Sequence, residues 1–167
     1  MNTRKLTAMA LLSAVALTIF MVEAQIPALV PIPGIKLGLS NIITVYAVWV
    51  LGGKEAALIL AVRIFLGAVF SGNFATIFYS AGGGLLAILT TIGLKFVLKE
   101  NQLWVAGCMG AIAHSIGQMI VAVWATGTPS LLIYLPVMVV FSIATGIFTG
   151  LCAQIMVRKN VWKIIFK

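Results

Sequence analysis

Residues 103–125 read LWVAGCMGAIAHSIGQMIVAVWA. The run holds no Asp, Glu, Lys or Arg and has the length of about 20 residues that a helix needs to cross a bilayer. Similar apolar runs repeat along the chain on either side of it. Of 167 residues, 62% are hydrophobic and 8% charged. A soluble domain carries roughly a quarter charged residues, so water is excluded as the solvent for most of this surface. Six spans are expected, at about 6–22, 37–51, 56–70, 82–96, 103–125 and 131–157. Together they make one all-α domain over 1–167, a bundle of six transmembrane helices with no linker and no internal repeat.

The breaks between spans carry the turn chemistry. Pro27, Pro31, Pro33 and Gly34 interrupt 23–36, where a helix cannot continue. Gly52-Gly53-Lys54-Glu55 makes a tight turn, Ser71-Gly72-Asn73 a polar break, and 126–130 a turn with Pro129. The short apolar stretch 74–80 reads as a re-entrant turn or an outer cap, and Gly82-Gly83-Gly84 as the opening of span four. Pro136 predicts a kink in span six. The segment from Asn160 to Lys167 reads either as an interfacial basic stretch or as a frayed end. A cleaved signal peptide is disfavoured, because Glu23 spoils the small-x-small pattern at Val22-Glu23-Ala24.

The net charge of +8 has an orientation reading. Arg4, Lys5, Lys54, Lys95, Lys99, Arg158, Lys159, Lys163 and Lys167 fall at the two chain ends and at every second break. With both termini cytoplasmic, all nine lie inside, as the positive-inside rule requires. No basic patch with interleaved aromatics exists to suggest nucleic acid. The breaks 23–36 and 71–82 then open outward.

Two basic residues, Lys36 and Arg63, do not belong to that set. Arg63 lies nine residues into span three from Lys54, about 13 Å at helical rise. An arginine at that depth faces a cavity or a partner, and Arg63, Gly67 and Ser71 share one helical face. It reads either as a ligand-binding cation or as a structural pair with Glu23. Lys36 reads either as a lipid-snorkelling residue or as a second cation at an outer entrance, beside Asn41. His114 and Gln118 stand one turn apart on a face with Gly107, Gly110 and Ala111. They serve either as interhelical glue or as ligand contacts. Glu23, Asn73, Tyr79 and Tyr134 complete the polar candidates. The substrate-binding candidates are thus Lys36, Asn41, Arg63, Asn73, Tyr79, His114 and Gln118. Ala10 and Ala14, four apart in span one, make a small-residue docking face, and Ser142, Gly146 and Gly150 do so in span six.

Absences bound the chemistry. The three acidic residues, Glu23, Glu55 and Glu100, lie on three separate breaks, and the chain has no Asp. Magnesium-dependent prenyl or phosphoryl transfer needs clustered carboxylates. Cys108 and Cys152 lie in apolar runs with a single His in the chain, so no zinc or disulfide framework is expected. No catalytic residue, metal or cofactor is expected, and no enzymatic activity of its own.

The segments Pro33 to Asn41, Arg63-Ile64-Phe65-Leu66-Gly67, Tyr79 to Leu86 and His114-Ser115-Ile116-Gly117-Gln118 resemble the Gx transporter family, also called heptaprenyl diphosphate synthase component I. The resemblance covers nearly the whole chain. That family is similar to the substrate-binding S components of energy-coupling factor transporters. The resemblance implies a bacterial multi-pass cell-membrane protein that captures a small vitamin-like molecule from outside, and Lys36, Arg63 and His114 make the expected molecule anionic, vitamin- or isoprenoid-like. It implies a transmembrane coupling subunit and ATPase subunits as partners, docked through Ala10 and Ala14. The second family name implies a partner prenyl diphosphate synthase instead, with this chain as its non-catalytic membrane subunit. A structural subunit of a membrane redox complex is a further alternative.

Overall fold

The computed structural model describes residues 3–25 and 38–161. They form α1 (Thr3–Glu23), α2 (Asn41–Val50), α3 (Gly53–Ser71), α4 (Ala75–Lys95), α5 (Leu103–Thr126) and α6 (Leu135–Arg158), with 3-10 turns at Glu100–Gln102 and Pro129–Tyr134. There is no strand among the described residues. Four segments are long and apolar enough to cross a membrane, namely α1, α4, α5 with its preceding turn, and α6 with its preceding turn. The 19 residues of α3 also carry Lys54, Glu55 and Arg63, and α2 has only ten residues. Large apolar side chains such as Phe70, Phe78, Trp124, Val140 and Phe148 stand exposed around the bundle. In water that surface would be a severe aggregation liability, so the chain is a membrane protein.

The shortest helix is the central one. α2 packs against all five other helices, and Ile43, Val45, Tyr46, Ala47 and Val48 are buried in the main core with Met9, Leu12, Ile59 and Leu60. Its expected start at residue 37 is corrected to Asn41. Gly38 takes φ +80, a backbone that L side chains avoid. The Asn41 N–H then donates to the Gly38 carbonyl at 2.9 Å to begin the helix. At the other end, the N–H groups of Leu51 and Gly52 both donate to the Ala47 carbonyl. Lys95 at the end of α4 donates from Nζ to the carbonyls of Val48 and Trp49.

α5 lies between α4 and α6, and glycines set both seams. A Cβ on Gly107 would stand 2.5 Å from the Gly150 Cα, and one on Gly117 would stand 2.9 Å from the Gly83 Cα. Backbones this close exclude any larger residue. The Ser115 and Ser142 hydroxyls bond across the α5–α6 seam at 2.5 Å. Residues 74–80 are therefore not a re-entrant turn. From Ala75 they form the first turns of α4, and Gly82-Gly83-Gly84 lie inside that helix, where close contact with α5 requires them. The outward break expected over 71–82 shrinks to Gly72–Phe74. Pro136 stands in the first turn of α6, where its missing N–H costs nothing, so it marks a start and makes no kink within the span.

The described basic residues other than Arg63 collect at one end of the bundle. Lys5 at the start of α1 pairs with Glu55 at the start of α3. Lys95 joins the end of α4 to the end of α2, and Gly150 packs on Leu103 and Trp104 to bring the end of α6 beside the start of α5. Lys163, Lys167 and most of the segment 160–167 lie outside the described residues.

Candidate functional site

The ten residues of α2 reach about 15 Å from the basic end. The turn Gly38–Ser40 therefore sits near the middle of a hydrocarbon core of about 30 Å. Irregular backbone at that depth is tolerated only where protein covers it, and here it is covered by polar side chains from α1, α3 and α5 and by a glycine of α4.

The first is Glu23, in the last turn of α1. Its carboxylate accepts from the N–H of Gly38 at 2.6 Å and of Leu39 at 3.0 Å. Both donors stand just ahead of the α2 start, where the helix dipole favours negative charge. Glu23 is 4% exposed. With Lys95 on the far carbonyls, α2 carries an acid at its N-terminal end and a base at its C-terminal end.

The second is Arg63, ten residues into α3 and 3% exposed. Its guanidinium lies 5.3 Å from the centroid of the Phe20 ring, a cation–π distance. Phe20 fits because position 67 is glycine: a Cβ there would stand 2.7 Å from the ring. Arg63 lies within electrostatic reach of Glu23 and of His114.

The third and fourth, His114 and Gln118, both come from α5 and pack against Gly83 of α4. The His114 ring packs against both Gly38 and Gly83: a Cβ on Gly38 would meet its Cδ2 at 3.2 Å, and one on Gly83 its Cε1 at 2.9 Å. The same Cβ on Gly38 would stand 2.9 Å from the Asn41 amide nitrogen, and that on Gly83 2.8 Å from Gln118 Cγ. Glycines at 38 and 83 thus make the room in which Asn41, His114 and Gln118 converge.

These side chains are buried with polar atoms to spare. Among the described residues, Asn41 Nδ2 and Oδ1, Arg63 Nη2, His114 Nδ1 and Gln118 Oε1 are sealed from solvent and have no hydrogen-bond partner. Unpaired polar atoms inside a bundle are costly; these five include both donors and acceptors, and a sixth such atom, Gln154 Oε1, belongs to α6 and stands apart from this set. The arrangement suits noncovalent recognition of a polar molecule. No group of three or more His, Cys, Asp or Glu suited to a metal is present among the described residues.

The remaining candidates stand elsewhere. Asn73 lies ahead of α4, where its Oδ1 accepts from the Ala75 N–H at 3.1 Å and its carbonyl from the Thr76 hydroxyl. Tyr79 is buried in a separate apolar cluster with Met119, Ala122 and Met138. Tyr134 is exposed. Ser71 does not share the inward face of Arg63 and Gly67; it is exposed, and its hydroxyl turns back to the Ala68 carbonyl. Lys36 lies outside the described residues. Ala10 and Ala14 are exposed on the outer side of α1, while Ala8, Leu12 and Ala16 face inward. Phe20 did not stand out in the sequence, and Gly83 did so only as part of the start expected for span four, not as a neighbour of His114. Phe20 is one turn before Glu23 and Gly67 one turn after Arg63, and that matched spacing is the available sign of their contact.

No curated protein and no solved structure matches the chain. One family does, over residues 12–156. The matched region contains every described element of the site, from Phe20 and Glu23 to Gln118, and the chain belongs to the family described as heptaprenyl diphosphate synthase component I.

Proposed function

We propose that the chain is the substrate-capture subunit of an energy-coupling-factor-like importer in a bacterial cell membrane. In this reading it crosses the membrane six times with both ends cytoplasmic, and the basic end of the bundle faces the cytoplasm. It takes up a small, anionic, vitamin- or isoprenoid-like molecule from outside and performs no covalent chemistry. The observation that supports this most is the set of five sealed, unpartnered polar atoms around the half-length helix α2. A broken helix with its N-terminus at mid-membrane is a recurrent way to hold an anionic group in transporters. A coupling subunit would dock on the exposed Ala10 and Ala14 face of α1, and ATPase subunits would supply the energy. The test is mass spectrometry of small molecules that co-purify with the protein in nanodiscs, followed by rebinding to Arg63→Ala. Absence of any bound molecule after exposure to a metabolite extract, or undiminished binding by the variant, sinks the reading.

The family description favours a second reading, in which the chain is the non-catalytic membrane subunit of a prenyl diphosphate synthase. Co-purification with an aspartate-rich soluble synthase, and with no ATPase, would select it over import.

A further inference from the structure

The N-terminus of α2 holds a carboxylate of the protein's own. Glu23 spans two successive N–H groups, those of Gly38 and Leu39, and its charge acts on Arg63. Two main-chain donors at a helix start, on a carboxylate that also lies within electrostatic reach of a guanidinium, form a recognition geometry for an organic carboxylate. Glu23 leaves part of that geometry unused. Arg63 Nη2, His114 Nδ1 and both polar atoms of the Asn41 amide have no partner among the described residues and are sealed from solvent. A larger molecule with the same end group would meet the donors that Glu23 meets and also these atoms. The covering elements belong together as well: Phe20, over the Arg63 guanidinium, and Glu23 share the last turn of α1. A shift of that turn uncovers the arginine and frees the two N–H groups in one movement.

Resting on the capture reading, we infer that Glu23 is a built-in surrogate for the anionic group of the ligand. The ligand is an organic carboxylate that takes the place of Glu23 across the Gly38 and Leu39 N–H groups and pairs with Arg63. Its polar remainder meets Asn41, His114 and Gln118. A planar carboxylate matches two successive donors with its two oxygens. A phosphate monoester brings nearly two charges to a site whose described residues offer one buried guanidinium.

The probe is benzoate, with benzamide as its uncharged counterpart and phenyl phosphate as the competing anion, measured by ligand-observed NMR on protein in nanodiscs. Glu23→Gln keeps one carbonyl acceptor for the α2 N–H groups and removes the charge. It is expected to bind benzoate about tenfold more tightly than the native protein, with benzamide unchanged. The gain is expected to vanish in Glu23→Gln/Arg63→Gln. Phe20→Ala, which removes the ring that holds the last turn of α1 over Arg63 and so eases release of Glu23, provides a second route to a gain if Glu23→Gln fails to fold. Unchanged benzoate binding in both variants, or a gain confined to phenyl phosphate, overturns the inference. A co-purifying ligand that carries no acid overturns it and leaves the capture reading standing. No ligand and no probe binding in any variant removes both.

Discussion

Lys95 Nζ donates to the Val48 carbonyl at 2.7 Å, so a charge from α4 closes the C-terminus of α2. The last carbonyls of a helix have no partner within it, and these are partly buried at the basic end of the bundle. Lys95→Met should therefore destabilise the protein by about 1–2 kcal/mol, and Lys95→Arg by less. Denaturant titration of the detergent-solubilised protein measures both. Equal stability of the native protein and the Met variant would show that those carbonyls have other partners.

The helix seams make a second expectation. Position 107 faces the main chain of α6, so an added Cβ cannot be relieved by rotation of a side chain. Gly107→Ala is expected to cost about 1–3 kcal/mol through overpacking. A Cβ added at Gly93 would meet nothing within 4 Å. There the same substitution should be neutral, or stabilising by up to about 1 kcal/mol through helix propensity. Melting temperatures of the two variants in one detergent compare them directly.

These seams also show what was legible in the sequence. Run length and composition were enough for an all-helical membrane protein, and helical spacing was enough to turn Arg63, His114 and Gln118 inward. The length of α2 was not legible, because Leu37-Gly38-Leu39 is as apolar as the helix that follows. Its start depends on Glu23, fifteen residues earlier than Gly38, accepting from the turn. The glycines at 82–84 read as the start of a span, because glycine is a helix breaker in water. In a bundle held by close backbone approach the same residues mark a helix interior. The basic residues gave an orientation pattern but hid a second role for Lys95.

The Lys5–Glu55 pair lies at the basic end, ahead of the apolar stretch 56–70 of α3. The Lys5 hydrogen bond, helped by the local backbone and the charge of Lys54, holds the Glu55 carboxyl below its usual value of 4.5. A depressed carboxylate stabilises the fold above the unfolded-state value, and that contribution is lost as pH falls through the folded-state value. Native protein should thus lose a small increment of stability below about pH 4.5 that Glu55→Gln does not lose. The pair is partly exposed, so the increment is small and shrinks in salt. Denaturation midpoints at pH 7 and pH 4, at low and high salt, test the sign.

Two buried polar groups on α5, one turn apart, should respond in opposite ways. Ser115 is satisfied by Ser142 across the α5–α6 seam. Ser142→Ala removes that partner, so a loss of about 0.6 kcal/mol, and at most about 1.7, is expected from interhelical bonds of this kind. Gln118 keeps its Oε1 sealed with no partner among the described residues. Gln118→Leu removes the unpaired acceptor and preserves most of the volume, so the fold should be unchanged or firmer. Ligand binding should follow the reverse order, with Gln118→Leu losing about tenfold or more and Ser142→Ala nearly none. If Gln118→Leu unfolds the protein as readily as Ser142→Ala, the glutamine is packing glue and the site loses one of its walls.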